Sequence, residues 1–274
     1  EHAMGWDMIL FPTPAFRRML FVGVGTAVAQ QVVGIDAIQY FLSYIIKEAG
    51  IESRGAQTAV LIFLGVLKLA CVFLAGRLFD RRGRRPLFFL SLTGMTVALL
   101  FLSINFFTIG NSAFSVTSLA IYLAFFSFGM GPGAWLIPSE VFSLTIRAKA
   151  MSVATFLNRV AATLMSSTFL STATAMSWAG FFLLLAVVCM IVAGFIYFMV
   201  PETKGRSLED MSLYFAELTG DRSVIDAEKK LRAGENVSVE VSSSQQQQQQ
   251  QSQPRESNFT DVVNEDANVV GTMA

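Results

Sequence analysis

AQQVVGIDAIQYF, residues 29–41, places three glutamines and an aspartate inside a run that is otherwise as apolar as a membrane span. The run, 19–46, is longer than the about 20 residues that cross a bilayer, so we expect it to be tilted, broken or partly outside the hydrocarbon. An ionisable group inside a span costs about 2.5–3.5 kcal/mol on insertion scales and is therefore a functional candidate. On a straight helix Gln30 and Asp36 would face different ways, but a bend near Gly34 would turn both toward one cavity.

The composition excludes an ordinary soluble domain. Of 274 residues, 53% are hydrophobic, 25 are Phe and only 15% are charged. The formal net charge of zero gives no sign of a nucleic-acid partner. Cys71 and Cys189 lie far apart in apolar segments, so neither a disulfide framework nor a metal site is indicated. The sequence has no evident nucleophile–base pair, ligand cluster or phosphate loop, so we predict neither an enzyme nor a cofactor.

Six apolar stretches are long enough to cross a bilayer. They are 19–46, 56–79, 87–107, 114–138, 151–171 and 178–200. The connections on one side carry most of the positive charge, whereas those on the other side carry only Lys47 and Arg54. By the positive-inside rule, both termini lie in the cytosol. The sequence thus predicts an all-α membrane protein of six transmembrane helices, most simply in the plasma membrane.

After residue 200 the chain changes character. The segment 201–219 begins with Pro201, and Ser207 followed by Asp210 predicts a capping box for a short cytosolic helix. From about residue 220 the chain is polar and contains a glutamine run at 245–251. Such a segment buries too little apolar surface to fold alone, so we predict a disordered Gln-rich tail over 220–274.

Two charges lie at similar depth in neighbouring spans. Asp36 is ten residues before Ile46, about 15 Å along a helix, and Lys68 is twelve residues after Ala56, about 18 Å. They could form a pair, or both could face a wet cavity. A buried ion pair that only fastens two helices remains an alternative.

The polar residues of these spans suit a neutral, hydroxyl-rich solute. Amides such as Gln30 and Gln31 both donate and accept hydrogen bonds, whereas a phosphate would need more unpaired Arg or Lys. In GMGPGAW, residues 129–135, three glycines and a proline weaken the helix, beginning at Gly129. Trp135 of this motif could supply a flat wall for a sugar ring, or it could be an interfacial anchor. Asn158 could reach the same cavity, and its neighbour Arg159 could snorkel or pair.

Charged motifs also mark the helix ends on the predicted cytosolic side. They are DRRGRRP at 80–86, PSEVFSLTIR at 138–147 and PETKGR at 201–206. Opposite charges at helix ends can form ion pairs that are made in one conformation and broken in another. The first motif can also be explained as an orientation signal alone.

Taken in order, these motifs resemble those of the sugar porter family of the major facilitator superfamily, over about residues 6–218. The aspartate of GIDA and the lysine of GVLK look like the plant-type polyol and monosaccharide branch. The QYF segment keeps Tyr40 of a frequent tyrosine pair and has Phe41 at the second position.

The resemblance implies a fold of twelve spans in two halves, of which this chain resembles the carboxy-terminal half. Residues 1–18 would end the central cytosolic loop, and 19–200 would form the six-helix domain. The implied solute-binding residues are Gln30, Gln31, Asp36, Tyr40, Lys68, Trp135 and Asn158. The implied cytosolic gate network is Asp80, Arg84, Glu140, Arg147, Glu202 and Arg206. Arg159 stands where many members have Trp.

The function implied is secondary-active transport of monosaccharides or polyols by alternating access, with the lipid bilayer and protons as further partners. In proton-coupled members the proton-carrying acid lies in the first span of the other half. Two alternatives stay open. One is a transport-incompetent sugar-sensing or regulatory half-protein, and the other is an uncoupled sugar facilitator.

Overall fold

The structure is a computed structural model that describes residues 9, 11–108, 110–143 and 146–221, without the side chain of Asp80. By its internal contacts the chain divides into two units, Glu1–Ile225 and Asp226–Ala274. The described residues lie in the first unit, are almost entirely helical and contain no strand. The tail predicted over 220–274 lies outside them from residue 222 onward.

The first predicted span is a broken helix. It consists of α1 (Pro14–Val32), α2 (Ile35–Tyr40) and α3 (Leu42–Glu48). Gly34 has φ +90° and ψ +14°, a left-handed conformation that ends α1 and re-aims the chain into α2. The hydroxyl of Tyr122 donates to the backbone carbonyl of Val33 at 3.0 Å, which satisfies one of the groups that the break frees. The predicted bend at Gly34 is therefore confirmed.

The next two spans are continuous. α4 (Arg54–Arg82) and α5 (Arg84–Thr108) have 29 and 25 residues, enough to cross a bilayer. Gly83 links them with φ +91°, which most side chains would oppose.

The predicted fourth span is divided. Asn111 caps the first part by accepting hydrogen bonds from the backbone N–H groups of Ala113 and Phe114 at 2.9 and 3.3 Å. That part, α6 (Ser112–Phe128), ends at Gly129, and α7 (Met130–Val141) follows. The predicted weak point is thus confirmed at Gly129.

The predicted fifth and sixth spans differ from expectation at their junction. One helical run, α8 (Arg147–Met199), covers both and leaves helical geometry inside only at Ser177, with φ +67° and ψ +159°. No Gly or Pro marks this kink. The break places Trp178 beside the rings of Tyr44, Phe106 and Phe182, with centroids 5.7 to 6.2 Å away. Aromatic packing at this end of the bundle accompanies a backbone conformation that local sequence disfavours.

The last helix, α9 (Leu208–Thr219), has the predicted capping box. The backbone N–H of Asp210 donates to the hydroxyl of Ser207 at 3.1 Å, and the backbone N–H of Ser207 donates to the Asp210 carboxylate at 3.4 Å. Met211 and Phe215 of this helix are buried. α9 packs on α1 and α7.

The helices are unequally covered. α1 packs against α7 and α8, and α5 packs against α6 and α8. α4 packs mainly against α6 and exposes Ile62, Phe63 and Phe73 by more than half. An apolar helical surface of this kind suits lipid or another apolar helix rather than water. In the part of the chain that the structure describes, five helical runs are long and apolar enough to cross a membrane, the last being the kinked α8.

Candidate solute site

A cavity of about 290 Å³ lies where α1 breaks, between α2, α4, α6, α7 and α8. Its volume is at the lower end of the range for small-molecule sites. Predicted solute-binding residues supply five of its lining side chains. The lining residues are Gln30, Gln31, Ile35, Asp36, Gln39, Lys68, Val72, Phe126, Ser127, Gly131, Pro132, Trp135 and Arg159.

Three amides form one network beside this cavity. The side-chain N–H of Gln30 donates to the carbonyl of Gly131 at 2.9 Å. The amide nitrogen of Asn158 donates to Gln30 Oε1 at 3.1 Å and to the carbonyl of Ala27 at 2.6 Å. Gln31 Nε2 donates to Asn158 Oδ1 at 3.3 Å. Asn158 is completely buried, so it ties α8 to α1 and fixes how both glutamines are presented.

The network leaves one buried acceptor open. Gln31 Oε1 has no hydrogen-bond partner among the described residues, although Gln31 is only 2% exposed. A buried acceptor without a donor costs about 1–3 kcal/mol. A hydroxyl that entered the cavity could donate to this oxygen and remove that penalty.

The two predicted intramembrane charges have different partners. Asp36 Oδ2 lies 3.4 Å from Nη1 of Arg159, and Lys68 Nζ donates to Gln39 Oε1 at 2.9 Å. A direct Asp36–Lys68 pair, one of the predicted arrangements, is therefore corrected. Both charges do line one cavity, as their similar depth along the helices predicts. The rotation of α2 after Gly34, which turns the carboxylate toward α8, does not follow from depth.

The remaining predicted residues divide between the cavity and its surroundings. Trp135 is half-buried and lines the cavity, as a ring-stacking wall would. Asn158 lies behind the two glutamines, with both amide hydrogens occupied, which differs from the predicted direct contact. Tyr40 also differs, because it is 71% exposed and lines a neighbouring cavity of about 430 Å³ with Arg159 and Thr163.

Sequence reasoning missed Gln39 as a site residue and gave Arg159 no solute role. Gln39 follows Asp36 by three residues, so a helical-face count would have placed both on one side of α2. Arg159 follows Asn158 directly, and no spacing to another polar residue indicated that it lines the cavity. It lines both cavities.

A second group of contacts joins helix ends about Arg84, Glu140 and Glu202, and we call it the helix-end network. Arg84 Nη2 and Nε donate to Glu140 Oε1 at 2.6 and 3.1 Å, and Nε also reaches Oε2 at 3.2 Å. The two side chains are 15% and 22% exposed. The hydroxyl of Thr203 also donates to Glu140, and Arg84 Nη1 donates to the carbonyl of Phe79 at 3.2 Å.

Glu202 caps α5 from a distant part of the chain. Its two carboxylate oxygens accept the backbone N–H groups of Arg84 and Arg85, each at 3.0 Å. The third residue of α5 is Pro86, which has no N–H to satisfy. A Cβ at Gly83 would lie 3.1 Å from Glu202 Oε2, so glycine leaves room for the cap.

The capping contacts govern the protonation of Glu202. Partial burial by itself would raise the pKa of this carboxyl. Hydrogen bonds from the backbone N–H groups of Arg84, Lys204, Arg85 and Thr203 outweigh burial and lower the pKa below its ordinary value of 4.5. The positive end of the α5 dipole favours the same ionised state.

The other predicted gate residues make more local contacts. Arg147 Nε donates to the carbonyl of Phe142 at 3.4 Å, and its Nη2 is buried with no partner in the described ranges. The guanidinium of Arg206 lies 4.9 Å from the ring centroid of Tyr214. Asp80 lies in α4, and its side chain is outside the described residues.

Comparison with known proteins decides the family. The family model for sugar (and other) transporters matches residues 2–215, which is most of the chain. The chain belongs to this family. It is 37% identical to probable polyol transporter 4 of Arabidopsis thaliana over 83% of its own length and 45% of the relative's. D-xylose-proton symporter-like 2 of the same plant is 34% identical over 71% and 39%.

A solved structure confirms the fold. The proton:xylose symporter XylE of the major facilitator superfamily, bound to 6-bromo-6-deoxy-D-glucose, matches with a TM-score of 0.69 at 28% identity. The match covers 77% of this chain and 45% of XylE. The chain thus spans less than half the length of the relatives it matches. The predicted all-α integral membrane fold, matching one half of a major facilitator sugar porter, is confirmed.

Proposed function

We propose that this chain is the carboxy-terminal half of a secondary transporter that moves polyols or monosaccharides together with protons by alternating access. Both termini lie in the cytosol, as the positive-inside rule predicts, and the plasma membrane is the site of action. Relatives named as polyol transporters and as xylose-proton symporters support the solute class and the coupling.

The observation that carries the proposal is the open acceptor on Gln31. Its neighbours Gln30 and Asn158 are held by mutual hydrogen bonds, so the cavity presents a preformed set of amide groups. A sugar or polyol hydroxyl can donate to Gln31 Oε1 and accept from the remaining glutamine hydrogens. Trp135 on the opposite helix supplies the apolar wall against which a ring or carbon chain can pack.

Each charged side chain of the cavity already has a polar partner. Arg159 engages Asp36, and Lys68 engages an amide, so a neutral hydroxyl can hydrogen-bond to either pair without leaving a new charge unbalanced. An uncharged polyol therefore enters without bringing a further charge into a low-dielectric region.

The helix-end network supports alternating access. Arg84, Glu140 and Glu202 come from three separate segments, α5, α7 and the connection after α8. A bidentate, mostly buried contact of this kind is a discrete element that is either made or broken. We propose that it is made in the outward-facing state and broken when the cytosolic side opens.

The proposal is tested with the full-length protein in proteoliposomes. Uptake of a panel of labelled polyols and monosaccharides is measured with and without an imposed proton gradient. We expect saturable uptake that the gradient stimulates, and a Gln31→Leu variant with about tenfold weaker apparent affinity. Gln57→Leu is the matched control, because Gln57 donates to the Ile51 carbonyl at 2.7 Å and does not line the cavity.

The outcomes separate the alternatives. Uptake that ignores the proton gradient would identify a facilitator and overturn the coupling. Solute binding without uptake would identify a sugar-sensing protein. Absence of binding for the whole panel, with the protein folded, would overturn the solute class itself.

A further inference from the structure

A second cavity of about 540 Å³ lies at the end of the bundle where α1 begins and α8 ends. Arg17 and Arg18 from the first turns of α1 line it. The other principal walls are Phe21, Met199 and Leu218, from α1, α8 and α9 respectively. Three separate helices thus contribute to one pocket, and it is remote in the fold from the solute cavity at the break of α1.

The two arginines lack partners in the part of the chain that the structure describes. Neither side chain makes a hydrogen bond or an ion pair with any described residue, and the Nε atom of Arg18 is buried. Arg18 is itself half-buried. A guanidinium presents five fixed hydrogen-bond donors and stays charged. Its partial burial is therefore unfavourable unless an anion accepts these hydrogen bonds.

Apart from Thr219, the rest of the cavity lining is apolar. Phe21 is 57% exposed, Leu218 50% and Met199 37%. Phe21 and Met199 lie near the ends of the spanning helices α1 and α8, where headgroups meet acyl chains, and Leu218 lies at the end of α9. A pocket with paired cations at one side and exposed apolar walls at the other matches a molecule that is itself anionic at one end and apolar at the other.

We propose that this cavity binds the headgroup of an anionic phospholipid, with the phosphate on Arg17 and Arg18 and the first acyl carbons on Phe21, Met199 and Leu218. The bound lipid would tie the end of α9 to the start of α1. A positive-inside signal alone would need the two charges but would not need the cavity or its apolar walls.

The test measures lipid binding to the full-length protein, so it is independent of solute transport. Native mass spectrometry follows the titration of short-chain phosphatidylserine, with short-chain phosphatidylcholine and inorganic phosphate as separate arms. We expect phosphatidylserine to bind most tightly, and each Arg→Gln substitution at 17 or 18 to weaken it roughly fivefold. Arg54→Gln, an exposed arginine at the other end of the bundle, is the matched control and should leave binding unchanged.

Several results would overturn the proposal. Equal binding of phosphatidylcholine would remove the anionic specificity, and equal occupancy by inorganic phosphate would identify a free-anion site. Unchanged phosphatidylserine binding in Arg17→Gln/Arg18→Gln would place the lipid elsewhere. If that double variant fails to fold, Arg17→Lys/Arg18→Lys keeps the charge. The proposal then requires it to retain phosphatidylserine binding, weakened by loss of the guanidinium fork.

Discussion

The carboxylate of Asp36 lies 3.4 Å from the guanidinium of Arg159, so the acid at the broken end of the first span is held by α8. The carboxylate is mostly buried and the guanidinium is 59% exposed. An ion pair with one partner in contact with water stabilises by about 1 kcal/mol or less. Its value to a transporter is then orientation, because it fixes α2 against α8 on one wall of the cavity.

The coupling of Asp36 should therefore be to Arg159 more than to Lys68. In the full-length protein, Asp36→Asn and Arg159→Gln should each weaken solute affinity, and the double variant should lose less than the two losses combined. The matched cycle of Asp36→Asn with Lys68→Gln should be closer to additive. Apparent affinities from binding titrations give both coupling energies. Stronger coupling in the Lys68 cycle would contradict the partner assignment.

Within the amide network, we expect Gln31 to bind solute and Asn158 to hold the glutamines in position. Asn158→Leu would leave three groups without their Asn158 partner: the carbonyl of Ala27, Gln30 Oε1 and Gln31 Nε2. We therefore expect roughly 3 kcal/mol lower stability together with lost affinity. Gln31→Leu should weaken affinity with a smaller loss of stability, because it removes only the 3.3 Å hydrogen bond to Asn158 and also removes the open oxygen. Thermal unfolding and solute titration of both variants provide the comparison. Equal destabilisation by the two substitutions would contradict it.

The sequence predicted which side chains line the site better than it predicted which groups they contact. Gln30, Gln31 and Asp36 were found because hydrocarbon rejects polar groups, and this reason is independent of tertiary contacts. The partner of Asp36 depends on how far the chain rotates at Gly34, and a single left-handed residue changes that direction. Tyr40 is displaced from the cavity by the same rotation.

The fold was predictable where local physics decides it. The length of the apolar stretches predicted the spans. Gly34 and Gly129 predicted the helix breaks, and the Ser207–Asp210 pair predicted the cap of α9. Ser177 could not be predicted, because a serine at positive φ is held by the packing of Trp178 and its aromatic neighbours rather than by its own preference.

The Arg84–Glu140 contact should stabilise one transport state. Arg84→Ala leaves Glu140 mostly buried with only the Thr203 hydroxyl, so we expect a loss of roughly 3 kcal/mol in that state and a shift toward inward-facing conformations. Arg84→Lys should recover part of this stabilisation, because lysine keeps the charge but cannot make the bidentate contact. Arg82→Ala, exposed in the same motif, is the control. Cysteine accessibility on the cytosolic side measures the shift, and an unchanged pattern in Arg84→Ala would contradict it.

The Glu202 cap should give an acid-side dependence of stability. Because the folded-state pKa is lowered below 4.5, the ionised carboxylate stabilises the protein fully above that value, and its contribution is lost as the pH falls through the lower folded-state pKa. Glu202→Gln should therefore be about 1 kcal/mol less stable at neutral pH, and the difference should narrow in acid. Thermal unfolding across this pH range tests the sign. A difference that widened in acid would contradict it.

The break at Gly34 should depend on glycine itself. An L-residue at φ +90° costs about 1–2 kcal/mol, and an added Cβ would lie 3.1 Å from the methyl groups of Leu185. We expect Gly34→Ala to lower stability by at least this amount and to weaken solute affinity, because straightening the helix would turn Asp36 away from the glutamines. Gly65→Ala is the control, because that glycine lies within α4, an added Cβ there would have nothing within 4 Å, and alanine favours the helix. Denaturation and solute titration of the two variants decide the point. If Gly34→Ala matched Gly65→Ala in both measurements, the left-handed break would not be what joins the amides to the carboxylate.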